Sequence, residues 1–226
     1  MVTELTHQGV LAREQETTMS VVAGGSIAEA IGGVGAVVLA ILGLVDLLPH
    51  EMAAIATMAV GVALLLEGIA VATRFSDLLS GTGRSLSDAV KLGGGMGAEF
   101  LGGVAGGILG LLALLDIVPM TLTTIAVIVF GTSLLLSSGA TYRLDSLASK
   151  LGQKTLTGAQ MLTGVAASGV QVLVGIAGIT LGIIALVGIS PMILTLVGLL
   201  SIGAAVLISG GAVSSTVASV MQHCDK

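Results

Sequence analysis

Three apolar stretches of one layout, each split by a single proline, run through the chain. They read AILGLVDLLPHEMAAIATMAVG around Pro49, LLALLDIVPMTLTTIAVIVFG around Pro119 and IIALVGISPMILTLVGLLSIG around Pro191. No other feature limits the fold as tightly. A membrane-crossing helix takes about 20 mostly apolar residues at about 1.5 Å rise each. Six segments qualify, at roughly 29–48, 51–73, 99–118, 120–141, 165–189 and 191–213. Proline is tolerated in the first turn of a helix, where its missing N–H costs nothing. Each proline is therefore read as the start of the return helix of a tight transmembrane hairpin.

Composition decides against a water-soluble alternative. The chain is 54% hydrophobic and 9% charged, whereas an average soluble domain is about 25% charged and needs those charges to cover its surface. There is no Trp and only one Tyr, which leaves Phe75 and Tyr142, just past the second and fourth segments, as sparse interfacial anchors. The first residues, MVTELTHQGVLAREQETTMS, hold no apolar core after a basic start, so no signal peptide is expected. Residues 1–19 read as a polar N-terminal arm, 20–213 as a six-helix membrane domain and 214–226 as a short C-terminal tail. Cys224, the single cysteine, lies in that tail beside His223. One cysteine builds no disulfide framework and two adjacent residues make no metal site, so neither metal nor cofactor is expected. A net charge of −5 gives no support for nucleic-acid binding.

The layout repeats at a nearly fixed period, the mark of an internally repeated architecture. Pro49, Pro119 and Pro191 recur at intervals of seventy and then seventy-two positions. Gly61, Gly131 and Gly203 each follow their proline by twelve, and Glu29, Glu99 and Gln171 each precede it by twenty. Asp46 and Asp116 stand three places before their prolines, where the third copy has Gly188. The linkers RSLSDAVKL from Arg84 and KTLTGAQML from Lys154 also match, while the segment after Glu14 matches poorly. Units of roughly 14–83, 84–153 and 154–226 follow. Ser85 with Asp88 has the spacing of a helix start, and Thr155 is a cap candidate in the third unit. A short amphipathic lead-in at the membrane surface is expected ahead of the span, weakened by Gly93, Gly94 and Gly95. Ser190 is the expected cap before Pro191.

Charge sets the expected orientation. All eight basic residues (Arg13, Arg74, Arg84, Lys91, Arg143, Lys150, Lys154 and Lys226) lie in the tails and inter-hairpin linkers. The proline turns contain none, so tails and linkers are expected in the cytoplasm and the turns outside. The expected fold is an all-α membrane protein of six transmembrane helices, arranged as three repeated hairpins in the cytoplasmic (inner) membrane with both termini inside. Asp46, Glu51 and Asp116 then fall at the outer headgroup level.

Ionisable groups inside spans are costly and often functional, so Glu29, Glu99, Gln171 and Glu67 are the candidate polar positions. At helical rise Glu29 lies about 28 Å from the outer turn, close to the inner boundary of a hydrocarbon core about 30 Å thick. Gln171 cannot titrate, which weakens any symmetric proton-carrying ring. Polar groups toward the midplane are few, Thr57, Thr123, Thr124 and Ser201 being taken as the nearest, and hydroxyls in spans commonly satisfy helix carbonyls or bond across helices. Small residues at spacing four form stripes that permit close helix approach: Gly32, Ala36 and Ala40; Gly102, Gly106 and Gly110; Gly178 and Gly182. Stripe and carboxylate share nearly one face and are expected to serve one helix–helix contact.

The segments LGLVDLLPHEMAAIATMAVGVALLLEG and LALLDIVPMTLTTIAVIVFGTSLLLSSG resemble the HdeD family of six-span bacterial membrane proteins. The resemblance covers most of residues 20–213 and implies a membrane protein linked to acid-stress resistance, with no catalytic site to carry over. High Gly content, absent Trp and longer linkers depart from that pattern. No span pairs a nucleophile with a base, and His7, His50 and His223 lie outside the spans, so no enzyme is expected. The expected function is a structural or assembly subunit that packs through its small residues, against the bilayer and as a homo-oligomer or part of a larger membrane complex. A small ion, proton or solute channel or transporter is the alternative.

Overall fold

The computed structural model describes residues 29–82, 86–150 and 158–224, with side chains over 29–69, 97–138 and 169–209. Within them the protein is helical: α1 Glu29–Leu44, α2 Pro49–Thr82, α3 Leu86–Leu114, α4 Pro119–Lys150, α5 Gly158–Leu186 and α6 Pro191–Cys224. No strand occurs among the described residues. The N-terminal arm, Ser85 and Thr155 lie outside the described residues. Among the described residues five helices are long and apolar enough to cross a membrane, over Pro49–Ile69, Gly97–Leu114, Pro119–Ser138, Gly169–Leu186 and Pro191–Ser209, and the described part of α1 is a shorter apolar helix.

Each return helix starts at its proline, but the three outgoing helices stop earlier than apolar character alone indicates. The spans expected to reach 48, 118 and 189 end helically at Leu44, Leu114 and Leu186. In the first turn the Leu47 N–H donates to the Leu42 carbonyl (3.1 Å) and the Asp46 N–H to the Gly43 carbonyl (3.1 Å). That pair of bonds is a Schellman motif, whose penultimate residue must take a left-handed conformation. Asp46 and Asp116 hold φ of 65° and 62°, and Gly188 holds 95°. Asp and Gly tolerate that region better than bulkier residues do. The aspartates that interrupt the apolar runs thus have a backbone role as helix terminators. Ile117 and Ile189 repeat the same bonds to Leu112 and Ile184.

The residue before each proline is left-handed too: Leu48 at 47°, Val118 at 43° and Ser190 at 41°. Its carbonyl accepts the first bond of the return helix, from Met52, Leu122 and Leu194 respectively. A β-branched residue there, as at Val118, carries strain. At the other ends the helices run on past the spans expected from the sequence. α2 and α6 have 34 residues each and α4 has 32. α3 passes through Gly93, Gly94 and Gly95 in one 29-residue helix. The amphipathic lead-in is therefore continuous with the span.

The return helices α2, α4 and α6 touch one another and form the inside of the bundle. Each outgoing helix fills a groove between two of them: α1 between α6 and α2, α3 between α2 and α4, α5 between α4 and α6. Burial follows this arrangement, with 50, 50 and 44% of the windows of α2, α4 and α6 buried against 33 and 22% for α3 and α5. Val60, Phe130 and Ile202 stand at one equivalent place, eleven positions past their prolines. They belong to one buried core cluster with Leu64, Leu134 and Val206, one helical turn further on. These side chains fill the space among the inner helices.

Backbone contact between glycines joins neighbouring hairpins. A Cβ at Gly61 would stand 2.6 Å from the Gly107 nitrogen and 3.0 Å from the Gly103 carbonyl oxygen. One at Gly131 would stand 2.7 Å from the Gly175 oxygen, and one at Gly203 would stand 3.3 Å from the Gly33 oxygen. Gly33, Gly103 and Gly175 share one offset, sixteen positions ahead of their prolines. The same approach thus joins α2 to α3, α4 to α5 and α6 back to α1.

Candidate functional site

Each small-residue stripe serves two contacts, not one. A Cβ at Gly102 would clash with Ser133 and one at Gly106 with Phe130, both on α4, whereas one at Gly110 would stand 2.8 Å from Met58 on α2. Gly32 faces Ala59 and Ala63 on α2, while Ala36 approaches Gly203 on α6. Gly178 faces Ile202 on α6 as well as Gly131 on α4, and Gly182 faces Ile128 on α4. Ala40 is fully buried in the common core. The cause is geometric. Residues four apart advance about 400° around a helix at about 100° each, so a stripe drifts about 40° per step and passes from one neighbour to the next. All these small side chains pack against the chain's own helices.

Hydroxyls near mid-span are satisfied locally. Thr57 donates to the Ala53 carbonyl (2.7 Å), Thr123 to Pro119 (2.8 Å) and Ser201 to Val197 (2.8 Å). Thr124 donates to Met120 (2.7 Å), which makes Thr195 the donor in the 2.8 Å contact between the two hydroxyls. These bonds are internal to the helices or tie α4 to α6.

The polar groups that converge lie at the end of the spans away from the turns. Glu29 and Glu99 are each only 4% exposed. Ser209 of α6 donates to the Glu29 carboxylate of α1, and also lies 2.9 Å from the Val206 carbonyl. Ser137 of α4 hydrogen-bonds Glu99 of α3. Glu67 of α2 lies within charge–charge range of both Glu29 and Glu99. Its Oε2 atom is buried with no hydrogen-bond partner. Gln171, the third-unit counterpart of Glu29 and Glu99, is half-buried on α5. Glu67, Ser137 and Ser209 share one offset, eighteen positions past their prolines. The layer therefore alternates: Glu, Glu and Gln from the outgoing helices; Glu, Ser and Ser from the return helices. Spacing alone marks Glu29, Glu99 and Gln171, and it hides the role of Glu67, whose counterparts are serines.

An unpaired carboxyl oxygen beside two further carboxylates is the least satisfied place in the described bundle. Removing a buried polar atom from water without a partner costs about 1–3 kcal/mol. No group of three acidic, His or Cys side chains among the described residues is disposed to hold a metal ion. Asp46, His50, Glu51 and Asp116 are all exposed at the opposite end. Helix lengths and composition define the class, an α-helical protein of multi-pass membrane type. No family model, curated protein or solved structure matches the chain.

Proposed function

We propose that the chain is a non-catalytic six-span protein of the cytoplasmic membrane, built as three repeated hairpins with both termini inside, and that it serves as a structural or assembly subunit. The observation that carries this reading is the filled centre of the bundle. Val60, Phe130, Ile202, Leu64, Leu134 and Val206 are at most 1% exposed and occupy the space where a conduit through the three inner helices would run. Conduction needs polar groups lining a path, whereas the mid-span hydroxyls here bond to carbonyls or to each other. The small-residue stripes are used up in internal packing, so a partner would meet other surfaces. Six spans are supported by α1, whose apolar helix pairs with α2 as α3 pairs with α4.

The test is the native mass and composition of the protein after gentle detergent extraction from its own cells. Co-purifying subunits in fixed ratio are expected. A bare, partnerless monomer would overturn the assembly role.

Glu67 favours a second reading, in which the carboxylate layer handles protons or cations within a transporter or an acid-stress protein of the kind the HdeD resemblance implies. Exchange of Glu29 and Glu99 together for Gln separates the two. A scaffold keeps its assembly, and a carboxylate-dependent conductor loses flux in liposomes.

A further inference from the structure

We infer that the carboxylate layer is a proton-binding site, with Glu67 as the carboxyl that holds the bound proton. This rests on the second reading of the layer and deepens it, by naming the proton and not a metal cation as what the layer takes. An ionised carboxylate only accepts hydrogen bonds, and it is stable in a buried place only where donors or an opposite charge face it. Glu67 meets neither condition. Its Oε2 atom is buried without a hydrogen-bond partner, and the charged groups within range of it, Glu29 on α1 and Glu99 on α3, are carboxyls like itself. The other helices bring Ser137 on α4, Ser209 on α6 and Gln171 on α5 to the layer, none of which carries a charge. No Lys or Arg occurs among the described side chains. The next basic residues along these helices, Arg74, Lys91 and Arg143, stand seven positions beyond Glu67, eight before Glu99 and six beyond Ser137.

The layer is also short of hydrogen-bond donors. Each serine has one hydroxyl proton and two acceptors within reach. Ser209 has the Glu29 carboxyl and the Val206 carbonyl (2.9 Å), and Ser137 has the Glu99 carboxyl and the Leu134 carbonyl (3.1 Å). Two hydroxyl protons thus serve four contacts, which leaves none for Glu67. One further proton on the carboxyls supplies a donor and removes one of three neighbouring like charges. A metal ion would need several oxygens converging on one point, an arrangement that no three acidic, His or Cys side chains among the described residues provide. A proton needs one oxygen and no cavity. Glu67 Oε2 is the oxygen left for it, because the Glu29 and Glu99 carboxyls each have a serine beside them.

The test uses the full chain, isotope-labelled at its glutamate carboxyls and reconstituted in phosphatidylethanolamine–phosphatidylglycerol vesicles. Infrared difference spectra are recorded across a pH titration. The C=O stretch of a protonated carboxyl stands apart from the carboxylate bands, and the label tells glutamyl groups from aspartyl and lipid ester groups. A glutamyl C=O band that persists at neutral pH and disappears in Glu67→Gln is expected, with far-UV circular dichroism confirming that the variant retains its helicity. Full ionisation of the glutamates at neutral pH in the native protein would overturn the inference, whatever the variant does. A band that survives in Glu67→Gln would overturn it as well, because the proton would then sit elsewhere. So would carboxylate bands that shift on addition of sodium or potassium chloride while no protonated band appears, since a metal cation would then be the occupant. Proton flux into pyranine-loaded vesicles tests the transporter reading separately. The band without flux leaves the proton site standing in a protein that does not conduct, and flux without the band leaves a conductor that holds no proton on Glu67.

Discussion

Replacing Glu67 with Ser should stabilise the protein. The change places at this position the residue type found at Ser137 and Ser209, at the same offset from the other two prolines. Glu67 Oε2 has no partner, and loss of one unsatisfied buried polar atom is worth about 1–3 kcal/mol. The shorter side chain gives up three heavy atoms, the γ methylene, the carboxyl carbon and one oxygen, of which the methylene alone is worth about 0.8 kcal/mol of packing. A hydroxyl here has the Leu64 carbonyl three residues back as an acceptor within reach, as Ser137 has that of Leu134 (3.1 Å) and Ser209 that of Val206 (2.9 Å). Mutual repulsion with Glu29 and Glu99 also disappears. The balance is a gain of about 1 kcal/mol or more, several-fold in the unfolding constant. Unfolding in mixed detergent–dodecyl sulfate micelles, followed by far-UV circular dichroism, reads it directly. Glu67→Gln keeps the shape and removes the charge, which separates packing from electrostatics. If both variants unfold at lower denaturant than the parent, the Glu67 carboxylate is engaged by a stabilising cation, and the account of an orphaned oxygen is wrong. A stabilised variant that loses biological activity would mark the layer as a place where stability has been given up for function.

Three further outcomes follow from the packing. Gly103→Ala places a Cβ 2.6 Å from the Leu65 nitrogen and 2.7 Å from the Gly61 oxygen, both backbone atoms, and should separate α2 from α3. Gly107→Ala meets nothing within 4 Å and should gain up to about 1 kcal/mol of helix propensity, so opposite shifts in the same unfolding assay are expected. Asp46→Val forces a β-branched residue into a φ of 65° and should cost about 1–2 kcal/mol, while Asp46→Gly should be nearly neutral by the same assay. Phe130→Ala empties a fully buried site and should cost about 3–5 kcal/mol; ion flux in liposomes should stay at background, because a lone cavity does not make a path.

The hairpins are legible in the sequence because apolar length, proline placement and spacing all speak to one local decision, where the chain turns. The role of the aspartates ahead of Pro49 and Pro119 is legible too, once the third copy is taken as the clue. Asp, Asp and Gly are residue types that tolerate a left-handed backbone, while a headgroup-facing role gives no reason for glycine. The division into inner and outer helices is not legible. Every helix is apolar on its lipid side as well as its protein side, so hydropathy carries no sign of which face is which. Small residues reveal that helices approach closely without naming the partner, so a stripe that drifts from α4 to α2 looks like a single contact. The carboxylate layer is half visible. Glu29 and Glu99 stand out by repetition, whereas Glu67 joins them only once positions twenty before and eighteen after a proline are seen to reach the same height of a hairpin.

The contact of α6 with α1 has a consequence for how the order of the hairpins matters. Gly203 meets the first hairpin much as Gly61 meets the second and Gly131 the third, so the circuit of neighbours has no first or last member. A row of hairpins would leave two unsatisfied flanks and could be lengthened by adding another, or exchanged between molecules. A closed circuit offers no flank at which to insert a fourth unit. The chain order then records only where the circuit was cut, and a permuted chain opened between α2 and α3, with α6 joined to α1, should assemble the same bundle.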